Sequence, residues 1–383
     1  MKPDASMEHD DISSIPPLPP DAFEFVQMDE VILDAKFETE PMGFMKDAIL
    51  RFATNRASVV AFIILSILVF MSIIGPNISG YTYREQNLRG TNLPPRVKAF
   101  ENLGIFDGSR VITVRASNIP PRIESGSYIE TLNTFVTMNV EMAEIRINAY
   151  IEAGLHDTYF WFGTDAIGRC LFTRVWYGLR ISLLLGFVVT VINISIGIVY
   201  GAVQGYFGGY ADLVMQRITE ILSGIPTLVV VTLTIIFFGA GFHNFVVAFI
   251  LTGWIGASST TRMQFYRFKN REYVYAANSM GASDWRIIFR HILPNASGTM
   301  ITSFALMIPG IIGMEAFLAF LGIGLQAPTP TLGILNVDGQ TAMLNSPHIL
   351  LFPASVISIL MICFNIFGNG LRDAFNPQLR GSQ

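Results

Sequence analysis

The chain predicts an all-α polytopic membrane protein with six spans and one small α/β domain inserted between the first and second. Three observations carry that prediction. Of 383 residues, 51% are hydrophobic and only 14% charged, and a mean hydropathy of +0.47 exceeds what a soluble domain needs to cover its core. The apolar residues gather in runs that approach or exceed the roughly 20 residues a bilayer demands of a helix. Lys and Arg collect in alternate connections, the asymmetry that keeps basic loops inside the cell. Cys170 and Cys363 are too few for a disulfide framework. The absence of any C-x-x-C or H-E-x-x-H run leaves metal chemistry without support.

Residues 1–40 hold eleven acids against Lys2 and Lys36, with a Pro16-Pro17-Leu18-Pro19-Pro20 run. Such a segment reads as an acidic, disordered cytoplasmic tail. It has neither the basic start nor the apolar core of a cleavable signal peptide. In residues 41–56, Met45, Ala48, Ile49 and Phe52 share one helical face, which predicts an interfacial helix lying on the membrane. The first span occupies 57–79. Lys46, Arg51 and Arg56 precede it and hold the N-terminus in the cytoplasm. The polar residues 80–160 then lie outside, as an extracytoplasmic insert. Within them Val111–Val114 and Thr134–Met142 have strand composition, and Glu141–Ala153 reads as a helix.

Five further spans fall within 161–377: Ile181–Val203, Ile218–Ala240, Phe245–Thr260, Gly298–Gly322 and Ile349–Gly370. Gly197, Gly201, Gly205 and Gly209 recur at spacing four, a pattern that lets helices approach closely, and packing within this subunit is favoured over contact with a partner. Gly205–Arg217 is expected as a short cytoplasmic turn. Pro226 either kinks the third span or is a local irregularity satisfied by its neighbours. Glu315 is costly in hydrocarbon and must face protein or a water-filled path, so it serves either as a structural hydrogen-bonding group or in the pathway. Gln326–Pro347 carries Asp338 but no Lys or Arg, which suits an outside loop. Arg372 and Arg380 return the C-terminus to the cytoplasm.

The loop 262–295 organises the rest. Its core, Arg271–Asn295, carries Arg271, Glu272, Asp284, Arg286, Arg290 and His291, so it cannot lie in hydrocarbon. Glu272–Met280 reads as a helix, and Gly281 offers a residue that takes φ > 0 and turns the chain. Ser283 offers an N-cap with Asp284 in the first turn, and the second helix runs to Leu293 before Pro294 stops it. At the turn, Ala276, Ala277, Gly281 and Ala282 keep the surface low, so that another protein approaches the backbone closely.

These residues resemble the coupling-loop signature of ABC importer permeases, in which Glu-Ala-Ala, a spaced Gly and a terminal Leu-Pro recur. Here the match is Ala276-Ala277, Gly281 and Leu293-Pro294. Tyr275 stands in place of Glu, and His291 where Ile is frequent. The fuller run, Tyr273-Val274, Ala276-Ala277, Gly281-Ala282-Ser283-Asp284 and Arg290-His291-Ile292-Leu293-Pro294-Asn295, is similar to the dipeptide/oligopeptide branch, the oligopeptide permease C type. Phe162-Gly163-Thr164-Asp165, Gly168-Arg169 and Tyr177-Gly178-Leu179-Arg180-Ile181-Ser182-Leu183 resemble that branch's entry to the second span, with Cys170 where Asp is usual. The resemblance covers about Phe44 to Pro377 apart from the insert, which is longer than the loop most of the branch carries.

What the resemblance implies is a type I ABC importer permease fold in a prokaryotic plasma (inner) membrane. The coupling surface would comprise Glu272, Tyr275, Ala276, Ala277, Gly281, Ala282, Asp284, Arg290, His291 and Pro294, with Pro226 and Glu315 as pore or gating candidates. Implied partners are a second related permease, two ATP-binding cassette subunits, an external solute-binding protein, a peptide substrate and membrane lipid; nucleic acid is not among them. No G-x-x-x-x-G-K-[ST] loop occurs, so ATP and Mg would be bound by the partners, and the chain itself would be neither an enzyme nor a cofactor protein. Nickel-chelate or glutathione import remains an alternative within the family. An ion-coupled secondary transporter is the rival class, but its internal repeat and broken spans with midplane ligands are not visible. A membrane-anchored scaffold for the external domain is a third reading.

Overall fold

The computed structural model describes residues 44–326 and 328–375; the acidic tail, the start of the expected interfacial helix and the C-terminal residues from 376 lie outside the described residues. The described residues from Asp47 to Phe375 form one compact unit. Helix α1 (Phe44–Thr54) leads into α2 (Arg56–Ile78), which Asn55 caps by accepting the Ser58 amide at 3.3 Å. Among the described residues five helices are long and apolar enough to cross a membrane, or six if one bent pair is counted as a span.

The longest is α5 (Leu171–Phe207), 37 residues and so about 55 Å at a rise of roughly 1.5 Å per residue. It starts ten residues before the expected second span and projects beyond a bilayer. Its partners are α8 (Phe242–Phe268), α2, and α12 (Met307–Phe320). The glycine stripe faces α8. A Cβ on Gly197 would stand 2.8 Å from the Ser258 amide, and one on Gly205 2.6 Å from Phe265 Cβ. The stripe thus packs inside this chain. Gly209 does not share the seam: with Gly208 it forms a turn of two positive-φ residues.

That turn changes the expected layout. Helix α5 continues to Phe207 and α6 (Gly209–Ser223) begins at once, so Gly205–Arg217 is mostly helix. The third span is likewise not one rod: α6 and α7 (Thr227–Phe238) meet at 71°. Pro226 supplies no amide to continue the ladder and heads α7. The fifth span is divided too, into α11 (Leu293–Ala305) and α12, before α14 (His348–Phe375) closes the bundle.

Between α12 and α14 the expected loop contains a helix, α13 (Leu332–Ala342). Thr331 caps it by accepting the Ile334 amide at 3.2 Å, and Leu332 and Leu335 are fully buried on one face. Between α2 and α5 lies an antiparallel sheet of β1 (Ser109–Arg115), β2 (Tyr128–Thr137) and β3 (Val140–Asn148), in the order β1-β3-β2. Two short helices, α3 (Pro120–Glu124) and α4 (Ala149–Glu152), flank it. The helix expected over Glu141–Ala153 is therefore mostly strand. Ala143, Ile145 and Ile147 alternate into a small core while Glu144 and Arg146 face outward, the period of two that defines a half-buried strand.

Candidate functional site

The loop after α8 folds as α9 (Glu272–Ser279), a turn, and α10 (Asp284–Arg286). The turn is a Schellman motif: the Ala282 amide bonds the Ala277 carbonyl at 3.1 Å, the Gly281 amide bonds that of Asn278 at 2.9 Å, and Gly281 sits at φ +79. Ser283 occupies the N-cap position of α10, yet its hydroxyl makes no capping bond. Tyr206, on the last turn of α5, instead donates to Asp284 Oδ1 at 2.8 Å, tying the loop to the end of the longest helix.

The expected stop at Pro294 does not occur. From Ile287 to Ile292 the helix widens into a π-turn, and the Leu293 amide bonds the Ile288 carbonyl. This shift in register places Pro294 in the first turn of α11, where a missing amide costs little. Asn295 Nδ2 satisfies the His291 carbonyl at 2.7 Å.

The loop has two faces. Val274, Ala277, Ile287, Ile288 and Ile292 are buried against Ala202 of α5 and Phe265 of α8, so any push on the loop reaches both helices through packed side chains. Ala277 thus lies on the inner face and supports the turn from beneath, away from the low outer surface expected of it. Glu272, Tyr275, Ala276, Gly281, Asp284, Arg290 and Pro294 are exposed, while Ala282 and His291 are half-buried. Sequence reasoning missed the apolar part of the outer face. Met280 is 82% exposed and Trp285 55%, and Trp285 stacks on Phe289 with ring centroids 5.8 Å apart. The signal was an aromatic pair at i, i+4, on the side opposite the buried isoleucines, in a loop that must be wet. Tyr273 on α9 has its hydroxyl pushed up by burial and partly drawn back by Arg271 and Asn295, so it stays a neutral donor at ordinary pH.

The other two candidates lie elsewhere. Pro226 marks the α6–α7 bend. Glu315, on α12, is fully buried, and its Oε1 accepts from Thr331 Oγ1 at 2.6 Å. The same Thr331 oxygen caps α13, and Ser182 of α5 accepts the next amide, that of Leu332, at 3.2 Å. Glu315 thus anchors the start of α13 against the bundle, which favours the structural reading of this carboxylate.

A bundle of several apolar helices, with a structured polar loop packed on the ends of two of them, defines a multi-span membrane protein. A model of the family described as binding-protein-dependent transport system inner membrane component matches residues 175–381, and one for the N-terminal TM domain of oligopeptide transport permease C matches 43–95. The oligopeptide transport system permease protein OppC of Bacillus subtilis (strain 168) is 32% identical over 345 residues, 90% of this chain and 93% of that protein. The dipeptide transport system permease protein DppC of the same organism is 35% identical over 340 residues, 88% and 87% respectively. OppC of Haemophilus influenzae is 42% identical over 222 residues, 58% of this chain and 71% of that one. The chain belongs to the binding-protein-dependent inner-membrane components, the permease subunits of ABC transporters.

Proposed function

We propose that this chain forms half of the translocation path of an ATP-driven importer for peptides, with the type I permease fold. Relatives named for oligopeptides and dipeptides, matched along most of both chains, support the substrate class; another, named for glutathione and matched over 57% of this chain, keeps that alternative. The observation that carries the mechanism is the two-faced loop. An ATP-binding cassette subunit grips Met280, Trp285 and Phe289 around the Gly281 turn, and its closure moves the loop as one body. The inner face passes that motion to α5 and α8. ATP and Mg are held by the partners, not by this chain.

In this reading the loop is cytoplasmic with both termini, and the β1–β3 sheet lies outside, where an external solute-binding protein and the mouth of the path are. The second half of the path comes from a related permease. The α6–α7 bend at Pro226 is a gating element of that path, and Glu315 holds α13 in place. The test is reconstitution with the cognate permease, ATP-binding and solute-binding subunits in proteoliposomes. ATP- and receptor-dependent uptake of a labelled peptide is expected, and joint Trp285→Ala and Phe289→Ala substitution should abolish co-purification of the ATP-binding subunits. Retention of those subunits by the double variant would overturn the docking assignment.

A further inference from the structure

A buried ion cluster at the start of α5 has no part in the function described above. Asp165, in the loop before α5, accepts from the Ile167 amide at 3.0 Å, the Arg169 amide at 2.9 Å and Arg169 Nε at 2.6 Å. It also pairs with Arg174, in the first turn of α5. Both Asp165 and Arg174 have side chains only 3% exposed. Arg174 reaches a second carboxylate, Asp338 on α13, at 3.4 Å, and Asp338 is 40% exposed.

The two legs of Arg174 differ in kind. The Asp165 leg is buried and buttressed by three further donors, and removing either partner would strand a charge. The Asp338 leg is long and wet, and its loss leaves Arg174 still paired. It is the weaker leg. Helix α13 is held differently at its two halves. Its start is fixed by Glu315, Ser182 and the buried Leu332 and Leu335. Farther along, Gly339 lets it press on α14, where a Cβ would stand 2.7 Å from the Leu350 amide. The polar tie from that second half back to α5 is Asp338.

We propose that the Arg174–Asp338 pair is a releasable latch, which in the resting transporter holds the second half of α13 against the entrance of α5. The inference rests on the importer reading above, in which this end of the bundle faces the external solute-binding protein. Docking of that protein opens the latch, and Asp338 sets how strongly ATP hydrolysis depends on docking. Asp338 is a positioning residue, acting through α13.

The test is ATP hydrolysis by the assembled transporter in proteoliposomes, with and without the solute-binding protein, for wild type and for Asp338→Glu, Asp338→Asn and Asp338→Lys. An accessible pair shifts a two-state population by roughly fivefold at most. Asp338→Asn should therefore raise receptor-independent hydrolysis by about threefold to fivefold and cut the receptor's stimulation by a similar factor. Asp338→Lys, which repels Arg174, should go further, and Asp338→Glu should restore wild-type behaviour. Unchanged basal rates in the Asn and Lys variants overturn the latch. So does a uniform fall of both rates with loss of assembly, since that marks a merely structural pair. The wild-type response reports separately on the importer reading: without receptor stimulation there, that reading falls and the latch with it.

Discussion

Gly281 offers the sharpest perturbation, because the structure separates two reasons why a glycine stands at a turn. Its φ is +79, and a Cβ built on it would meet nothing within 4 Å. The requirement is therefore conformational and not one of space. An L-residue in this left-handed region costs roughly 1–2 kcal/mol, Asn being the common exception and β-branched residues the worst case. With a tenfold change per about 1.4 kcal/mol, Gly281→Ala should depopulate the native turn by roughly five- to thirtyfold relative to glycine, Gly281→Val more, and Gly281→Asn least. The Schellman bonds from Ala282 and Gly281 would be lost with the turn, and Met280 and Trp285 would lose their common platform. The assay is peptide uptake measured beside ATP hydrolysis in proteoliposomes. The expected order of coupled uptake is Gly, Asn, Ala, Val, with the Val variant either binding ATP-binding subunits poorly or hydrolysing ATP without uptake. Normal uptake by Gly281→Val would refute the coupling assignment, and equal damage from Asn and Val would refute the conformational argument.

Three further outcomes follow from the packing. Gly201→Val would drive Cβ to 2.8 Å from Thr261 Cβ and 3.0 Å from the Arg262 amide, so the solubilised protein should melt several degrees lower, in line with overpacking costs of about 1–3 kcal/mol; Gly256→Ala, which meets open space, should not. Thr331→Val removes the cap of α13 and the donor to Glu315 and should lower thermal stability by about 1–2 kcal/mol, while Thr331→Ser should hold it. In a background lacking Cys170 and Cys363, both buried, a single cysteine at exposed Asn118 should react with an impermeant maleimide from outside intact cells, and one at exposed Ser279 only after permeabilisation; external labelling of Ser279 would reverse the orientation.

Much of the bundle was legible because hydrocarbon allows few solutions. An apolar run of some twenty residues is a span whatever its neighbours are, and Arg271–Asn295 is too polar to be one. The features that escaped are those where backbone register decides. The bend at Pro226 and the continuous helix through Pro294 follow from the same residue type, and they differ because a π-turn precedes one and no such adjustment precedes the other. Helix α13 escaped because its mixed polarity suits a helix held by a capping Thr331 and a buried carboxylate, partners brought from elsewhere in the chain. The hairpin joining β2 to β3 turns through Met138 and Asn139, at φ +49 and +59, and only the Asn is a turn signal. In the loop after α8, polarity placed the segment outside hydrocarbon, while Trp285 and Phe289 passed as ordinary loop residues because their exposure depends on which face the isoleucines bury.

The segment 80–160 was read as one insert, and its packing divides it. Leu93, Ala149, Tyr150 and Phe160 belong to the same buried cluster as Val175 and Leu179 of α5. Ser79 and Thr173 share a hydrogen bond of 2.5 Å, and the Leu93 amide bonds Thr164 at 2.8 Å. These flanks are part of the bundle end, and removing them would open its core. The sheet is different. Ala143, Ile145 and Ile147 pack with Ile112, Val114, Ile119 and Tyr128 as a separate small core, and the sheet's two ends, Ser109 and Asn148, are paired across β1 and β3. A two-glycine linker can therefore replace residues 110–147 without moving either flank, the kind of excision that adjacent ends tolerate. The shortened chain should assemble with its ATP-binding subunits and keep basal hydrolysis, whereas replacing all of 80–160 should lose assembly. If the sheet serves the external binding protein, the 110–147 deletion should lower receptor-stimulated hydrolysis alone. Equal stimulation would make the sheet an accessory module, and loss of motor binding would mean that this end of the bundle faces the cytoplasm.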